Sequence, residues 1–249
     1  MASLGKEIFR QYDEHGSVQV FDDGEKRYLA FGNDTEQSCI LKSDAALLQY
    51  EYTRAMLLPL LFMGNPNTAL ILGLGAGSLV TCLRQQLPRL TITAIELRQS
   101  VADVAKRFFQ LPSDNNLQVK ISNADDYLGQ PRDETFQLIL SDIYGADDVD
   151  GLQLQEGYID QCREHLDPQG WLVLNCWRHH RRNSDLLSLL KRHFGFVGAC
   201  DTQAGNWVLI ASNQMALPSR KKQQANAASW SKRLNFSLPL SQLEILQSV

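Results

Sequence analysis

Three glycines and three acids of this chain fall where chemistry can be done. Gly73, Gly75 and Gly77 lie in "ILGLGAGSL", directly after a short apolar run. Glycine lets a chain turn sharply and lets a ligand approach the backbone closely. A helix starting behind such a turn offers unpaired N–H groups and the positive end of its dipole. Glu96 ends the next apolar run, "LTITAIE", where an acid can accept both hydroxyl protons of a ribose diol. Asp125, chosen over Asp126, lies in "ISNADDYL", where a carboxylate can accept a hydrogen bond from an adenine amino group. Asp142 ends a fourth run, "LILSD", ahead of Asp147, Asp148 and Asp150. The plainer alternative is a tight turn for the glycines and a turn or helix cap for the acids. It weighs most for Asp125 and the three loop aspartates.

Together the glycine turn and Glu96 specify an adenosine-type nucleoside. The dinucleotide fingerprint needs a glycine at position 78, which here is Ser78. S-adenosylmethionine or a relative is therefore favoured over NAD. A sulfonium donor loses a neutral thioether and needs no general acid. An amine acceptor, with a pKa of about 10.4, is mostly protonated at neutral pH. A carboxylate such as Asp142 can orient that ammonium, take its proton and favour the developing positive charge. The loop aspartates would add a field that draws a cation in.

These residues need a scaffold, and the pattern around them supplies one. Short strands are expected at Val18–Phe21, Arg27–Phe31 and Gln37–Leu41, then a helix from Ala45 to Leu58 with Ser43 as its N-cap. From Ala69 strands and helices alternate. Strands are expected at 69–72, 91–95, 117–121, 136–140, 171–176, 196–200 and 207–211. Helices are expected at 79–86, 99–109, 153–165 and 183–194. Apolar strands joined by helices make a parallel sheet covered on both faces, an α/β fold. Ligands of such sheets sit at the carboxyl ends of the strands, where the residues above fall. The expected division is a β-rich segment with a linking helix over 1–58, a nucleoside-binding domain over 59–212 and a tail over 213–249.

Composition narrows the class further. The 249 residues are 44% hydrophobic and 21% charged with a net charge of −4, which gives no basic footprint for nucleic acid. The five cysteines are scattered and odd in number, against a disulfide framework or a zinc site. The pair His179 and His180 in "WRHHRR" has no third ligand at sensible spacing, so no metal is expected. Arg220, Lys221 and Lys222 suit a solvated helix face. The expectation is a cytoplasmic protein with no membrane segment.

The order and spacing of these motifs resemble the spermidine synthases, the polyamine aminopropyltransferases, from about Val18 to Ala211. "LPLLFMGNPNTALILGLGAGS" is similar to that family's approach to its first Rossmann strand and glycine turn. "AIELRQSVADVAKRFF" is similar to its ribose acid and following helix, "NADDYL" to its adenine-contacting segment and "LILSD" to the strand ending in its proton-accepting aspartate. The resemblance implies a methyltransferase-like Rossmann domain with a seven-stranded, mostly parallel sheet and a small N-terminal β appendage. It also implies a homodimer, S-adenosylmethionine or its decarboxylated form as co-substrate, and a small-molecule amine as acceptor. A substrate-binding tyrosine–x–glutamate stretch is echoed by "QYEYTR", which leaves Tyr50 or Tyr52 as its counterpart. Tyr52 and Tyr144 are expected on the acceptor side. Two positions depart: Ala76 replaces the aspartate that holds the donor's ammonium, and Gly145 replaces a second acid after Asp142. Methyl transfer and a non-catalytic nucleoside-binding role are the alternatives.

Overall fold

The computed structural model describes residues 4–32, 35–131, 134–144, 151–214 and 216–248. Four strands open the chain: β1 (Lys6–Asp13), β2 (Gly16–Asp22), β3 (Lys26–Phe31) and β4 (Thr35–Leu41). They form an antiparallel sheet in that order. Its inner face carries Val18, Val20, Leu29 and Ile40, which bury against Val101, Val104 and Phe109.

The main sheet has eight strands: β5 (Thr68–Leu72), β6 (Thr91–Glu96), β7 (Leu117–Ile121), β8 (Phe136–Ser141), β9 (Leu166–Trp177), β10 (Phe196–Asp201), β11 (Asn206–Ser212) and β12 (Leu243–Ser248). They lie in the order β12-β10-β11-β9-β8-β5-β6-β7. The five strands β9-β8-β5-β6-β7 are parallel, and the other three join antiparallel. The seven strands expected are therefore corrected to eight. The extra strand comes from the tail, whose "LEILQS" pairs with β10 and covers an edge that would otherwise be unpaired.

Helices flank the sheet: α1 (Glu51–Met56), α2 (Ser78–Gln86), α3 (Gln99–Phe108), α4 (Ala124–Leu128), α5 (Glu156–Glu164), α6 (Ser184–His193) and α7 (Arg220–Leu234). In α3 the buried residues Val101, Ala102, Val104 and Ala105 recur at helical spacing, and Lys106 and Arg107 complement its carboxyl end. In α7 the residues Arg220, Lys221 and Lys222 face solvent, while Trp230 Nε1 donates to the Leu60 carbonyl at 2.9 Å. Among the described residues no helix is long and apolar enough to cross a membrane.

The helix expected from Ala45 is mostly absent. Turns run through residues 42–47, α1 starts only at Glu51, and a 3-10 turn follows at Leu58–Leu61. Local hydrogen bonds compete with the helix there. Asp44 Oδ1 accepts from Ala46 N at 3.2 Å, and the Arg54 guanidinium donates twice to the Leu48 carbonyl, at 2.9 and 2.7 Å. The helix expected from Gln153 likewise starts late, at Glu156. Gln153 sits in a 3-10 turn with its buried amide bonded to Ser141 and to the Asn175 carbonyl.

Candidate active site

The parallel strands end at one level, and a cavity of about 610 Å³ opens there. The register sets its floor. Leu72 pairs with Ser141 and with Ile95, so the residues just beyond those strand ends are neighbours. Asp142 N donates to the Leu72 carbonyl at 2.8 Å, and Gly73 N donates to the Ile95 carbonyl at 2.9 Å. Gly73 has φ +91°, and a Cβ there would collide with the Asp142 carbonyl. This close backbone approach admits only glycine without a shift of one strand tip.

Glu96 is buried, with 8% of its surface exposed. One oxygen accepts from Leu74 N at 3.1 Å and Gly75 N at 3.4 Å, and the other from Arg98 N at 3.0 Å. Burial raises its pKa against the opposing pull of those N–H groups. The same carboxylate thus shapes the glycine turn and faces the cavity. Arg98 beside it is tied back to the N-terminal sheet through Asp13, at 2.8 and 3.0 Å, and the Gly16 carbonyl, at 2.9 Å. Burial alone would raise the Asp13 pKa, but hydrogen bonds from Arg98 and Ser100 outweigh it and hold it low. That pairing docks the appendage against the sheet, and its residues Glu36, Gln37 and Ser38 form one cavity wall.

Asp142 lies across the turn from Glu96. Its Oδ1 accepts from Asn175 Nδ2 at 2.8 Å, and Tyr52 also hydrogen-bonds to it. Burial nevertheless pushes its pKa up to about 6. Burial first, and then the Asp142 charge, raise Tyr52 well above the ordinary tyrosine range. Tyr52 stacks on Tyr50 with ring centroids 5.8 Å apart, and Tyr144 meets Trp177 edge-on at 5.6 Å. Tyr50 hydrogen-bonds to Glu36. The cavity wall therefore combines aromatic faces with Glu36, Glu51, Glu96 and Asp142, and the one arginine among its described residues, Arg98, is already paired. Such a wall favours a cation.

The structure brings Gly73, Gly75, Glu96, Asp142, Tyr52 and Tyr144 to this one cavity. Gly77 lies behind it as the N-cap of α2, and a Cβ there would meet Leu111. Asp125 is in the first turn of α4, where its N–H is capped by Asn123. Asn123 and Ala124 line the cavity, and Asp125 is not among the lining residues. Ala76 is fully buried among apolar side chains from the N-terminal sheet and α3. Gly145, Asp147, Asp148 and Asp150 lie outside the described residues. His179 and His180 sit in the 3-10 turn Arg178–Arg182, which has no buried residue. Sequence reasoning missed Asn175 and Asn206, which line the cavity beside Trp177. A polar residue interrupting the apolar run "LVLNCW" beside the Asp142 strand was the available signal for Asn175.

Fold and cavity define the class: a methyltransferase-like Rossmann protein with its cavity at the carboxyl ends of the parallel strands. No protein-family model matches the chain. A polyamine aminopropyltransferase of Chromobacterium violaceum is 31% identical over 179 residues, covering 71% of this chain and 68% of that protein. A probable spermidine synthase of Corynebacterium glutamicum superposes with a TM-score of 0.75 at 16% identity, over 98% of this chain and 91% of that one. Human methyltransferase-like protein 13, solved with SAH, gives a TM-score of 0.68 at 20% identity, over 75% and 93%. The chain belongs to the polyamine aminopropyltransferase family. It is a divergent, spermidine-synthase-like transferase.

Proposed function

We propose that this protein transfers an alkyl group, foremost aminopropyl, from decarboxylated S-adenosylmethionine or S-adenosylmethionine to a small-molecule amine. The observation that carries this is the buried Asp142 carboxylate facing the same cavity as Glu96 and the glycine turn. In this reading Glu96 accepts the ribose hydroxyls, Gly73 and Gly75 let the nucleoside approach the backbone, and Asp125, one residue beyond the lining residues Asn123 and Ala124, accepts from the adenine amino group at the cavity rim. Gly77 starts the helix whose N–H groups face the donor side. Tyr52 and Tyr144 flank the acceptor.

The chemistry balances without a metal or a general acid. The acceptor ammonium gives a proton to Asp142, leaving a neutral amine. The nitrogen lone pair forms the new N–C bond as the C–S pair returns to sulfur, and one proton is released overall. With its pKa near 6, Asp142 is ionised and can accept a proton at neutral pH. A homodimer and a cytoplasmic location belong to the same reading, as does the division at 58 and 212.

Methyl transfer is the second reading, and Ala76 favours it. S-adenosylmethionine carries a carboxylate that its decarboxylated form lacks. The position where the family aspartate would repel it holds a methyl group packed in an apolar cluster. Product analysis separates the readings. Incubation with each donor and a panel of diamines and polyamines should release methylthioadenosine from the decarboxylated donor if aminopropyl is transferred. Release of S-adenosylhomocysteine from S-adenosylmethionine would establish methyl transfer instead. Binding of both donors with neither product would leave a nucleoside-binding protein.

A further inference from the structure

A buried chain of amides runs behind the Asp142 carboxylate. Asn175 stands near the carboxyl end of β9 with no exposed surface. Its Nδ2 donates to Asp142 Oδ1 at 2.8 Å, and its Oδ1 accepts from Asn206 Nδ2 at 3.2 Å. Its backbone carbonyl accepts from Gln153 Nε2 at 2.9 Å. Asn206 Nδ2 also reaches the Tyr144 hydroxyl at 3.3 Å, and the Gln153 oxygen accepts from Ser141 at 2.8 Å. An amide buried in a strand costs free energy unless its polar atoms are paired. The side-chain nitrogen and oxygen of Asn175 both are.

The pairing also has a direction. A carboxylate oxygen can only accept, so Asn175 must turn its NH₂ toward Asp142 and its oxygen toward Asn206. Asn206 must then present its own nitrogen. The titratable groups on the other side of Asp142 are Tyr52 from α1, with Tyr144 and Glu36 acting on Tyr52 from beyond it. Glu51 and Glu96 line the same cavity. Among the described residues no lysine or arginine pairs with Asp142, so amide and phenol donors alone oppose the effect of burial.

We propose that Asn175 is a positioning residue, which holds the Asp142 carboxylate ionised and fixed in rotation against the acceptor, with Asn206 as its brace. The acceptor's part rests on the transferase reading, whereas the hold on Asp142 does not. The test is therefore a titration that needs no turnover. Carbon-13 NMR of aspartate-labelled protein follows each carboxyl against pH, and the Asp142 signal is the one missing from Asp142→Asn. Removing a hydrogen bond to the charged form raises an acid's pKa. Asn175→Leu should move the Asp142 midpoint up by about one pH unit. Asn206→Leu should move it less, because it acts through Asn175. Asn175→Asp should give two titration steps that belong to the pair, one of them above the parent Asp142 midpoint, because two adjacent carboxylates resist ionising together. Where an amine substrate is turned over, the acid limb of kcat should follow the same shift with the donor KM unchanged. Thermal unfolding and circular dichroism check that each variant folds, and Asn175→Ala gives the reading if Asn175→Leu does not. An unchanged Asp142 midpoint in a folded Asn175 variant would overturn the proposal. A shifted midpoint in a protein that turns over no amine would support the hold on Asp142 and count against the transferase reading alone.

Discussion

Replacing Asp142 by asparagine should cripple transfer and stabilise the protein, and the stability effect should depend on pH. In the folded state Asp142 keeps its proton up to about pH 6, whereas an unfolded aspartate loses it near 3.9. Between these values the folded protein binds more protons than the unfolded chain. Stability therefore falls as pH rises through that window, and the loss is complete above about 6. A gap of about two on the pH scale, at about 1.4 kcal/mol each, sets a ceiling of about 3 kcal/mol. Asparagine is neutral throughout and nearly the same size. Its oxygen can still accept from Asn175, and its NH₂ can donate to the Tyr52 hydroxyl. Allowing for the charge-assisted bonds lost, a gain of about 1–2 kcal/mol is expected at pH 8, or about 3–6 °C in Tm for a chain of this size. At pH 4 the gain should vanish. Urea unfolding at both pH values, followed through the buried Trp171 and Trp207, measures it. The reasoning is refuted by an equal gain at pH 4 and pH 8, or by a less stable variant at pH 8. Turnover of the same variant should fall about 10²–10⁴-fold with donor binding nearly intact, as for loss of a general base.

Glu96→Ala should weaken adenosine-containing ligands by about 1–3 kcal/mol in calorimetry, because ribose hydroxyls and the Leu74 and Gly75 N–H groups lose their acceptor. Unchanged affinity would remove Glu96 from the donor site. Gly73→Ala forces a side chain to φ +91° against the Asp142 carbonyl and should cost at least about 1–3 kcal/mol in denaturant unfolding. Trp230→Ala should cost about 3–5 kcal/mol by the same assay, since this buried ring bonds the Leu60 carbonyl and packs α7 into the main core. No loss would mean that the tail does not support the sheet. Ala76→Asp should lower stability rather than simply change donor preference, because it puts a carboxylate into an apolar cluster; a fully stable variant in thermal melts would contradict that packing.

Much of this protein was legible one segment at a time. Runs such as "ALIL" and "LILS" announce buried parallel strands because each is apolar on both faces. The glycines and acids that end them announce a site because the carboxyl ends of parallel strands share one level. What went wrong locally went wrong through side chains whose partners are far away or compete unexpectedly. Gln153 leaves a helix to bond Ser141 and Asn175. Arg54 and Asp44 hold residues 44–48 out of one. The six-residue "LEILQS" becomes a strand only because β10 offers it an edge. The surroundings of Asp142 were settled by tertiary structure alone. Asn175 and Asn206 lie 33 and 64 positions along the chain from it, and only the pairing of β8 with β9, and of β9 with β11, brings them beside that carboxylate. Sequence carries each strand's pattern within the strand. A buried charge's pKa depends on which strands pair beside it, and that pairing is a property of the whole sheet.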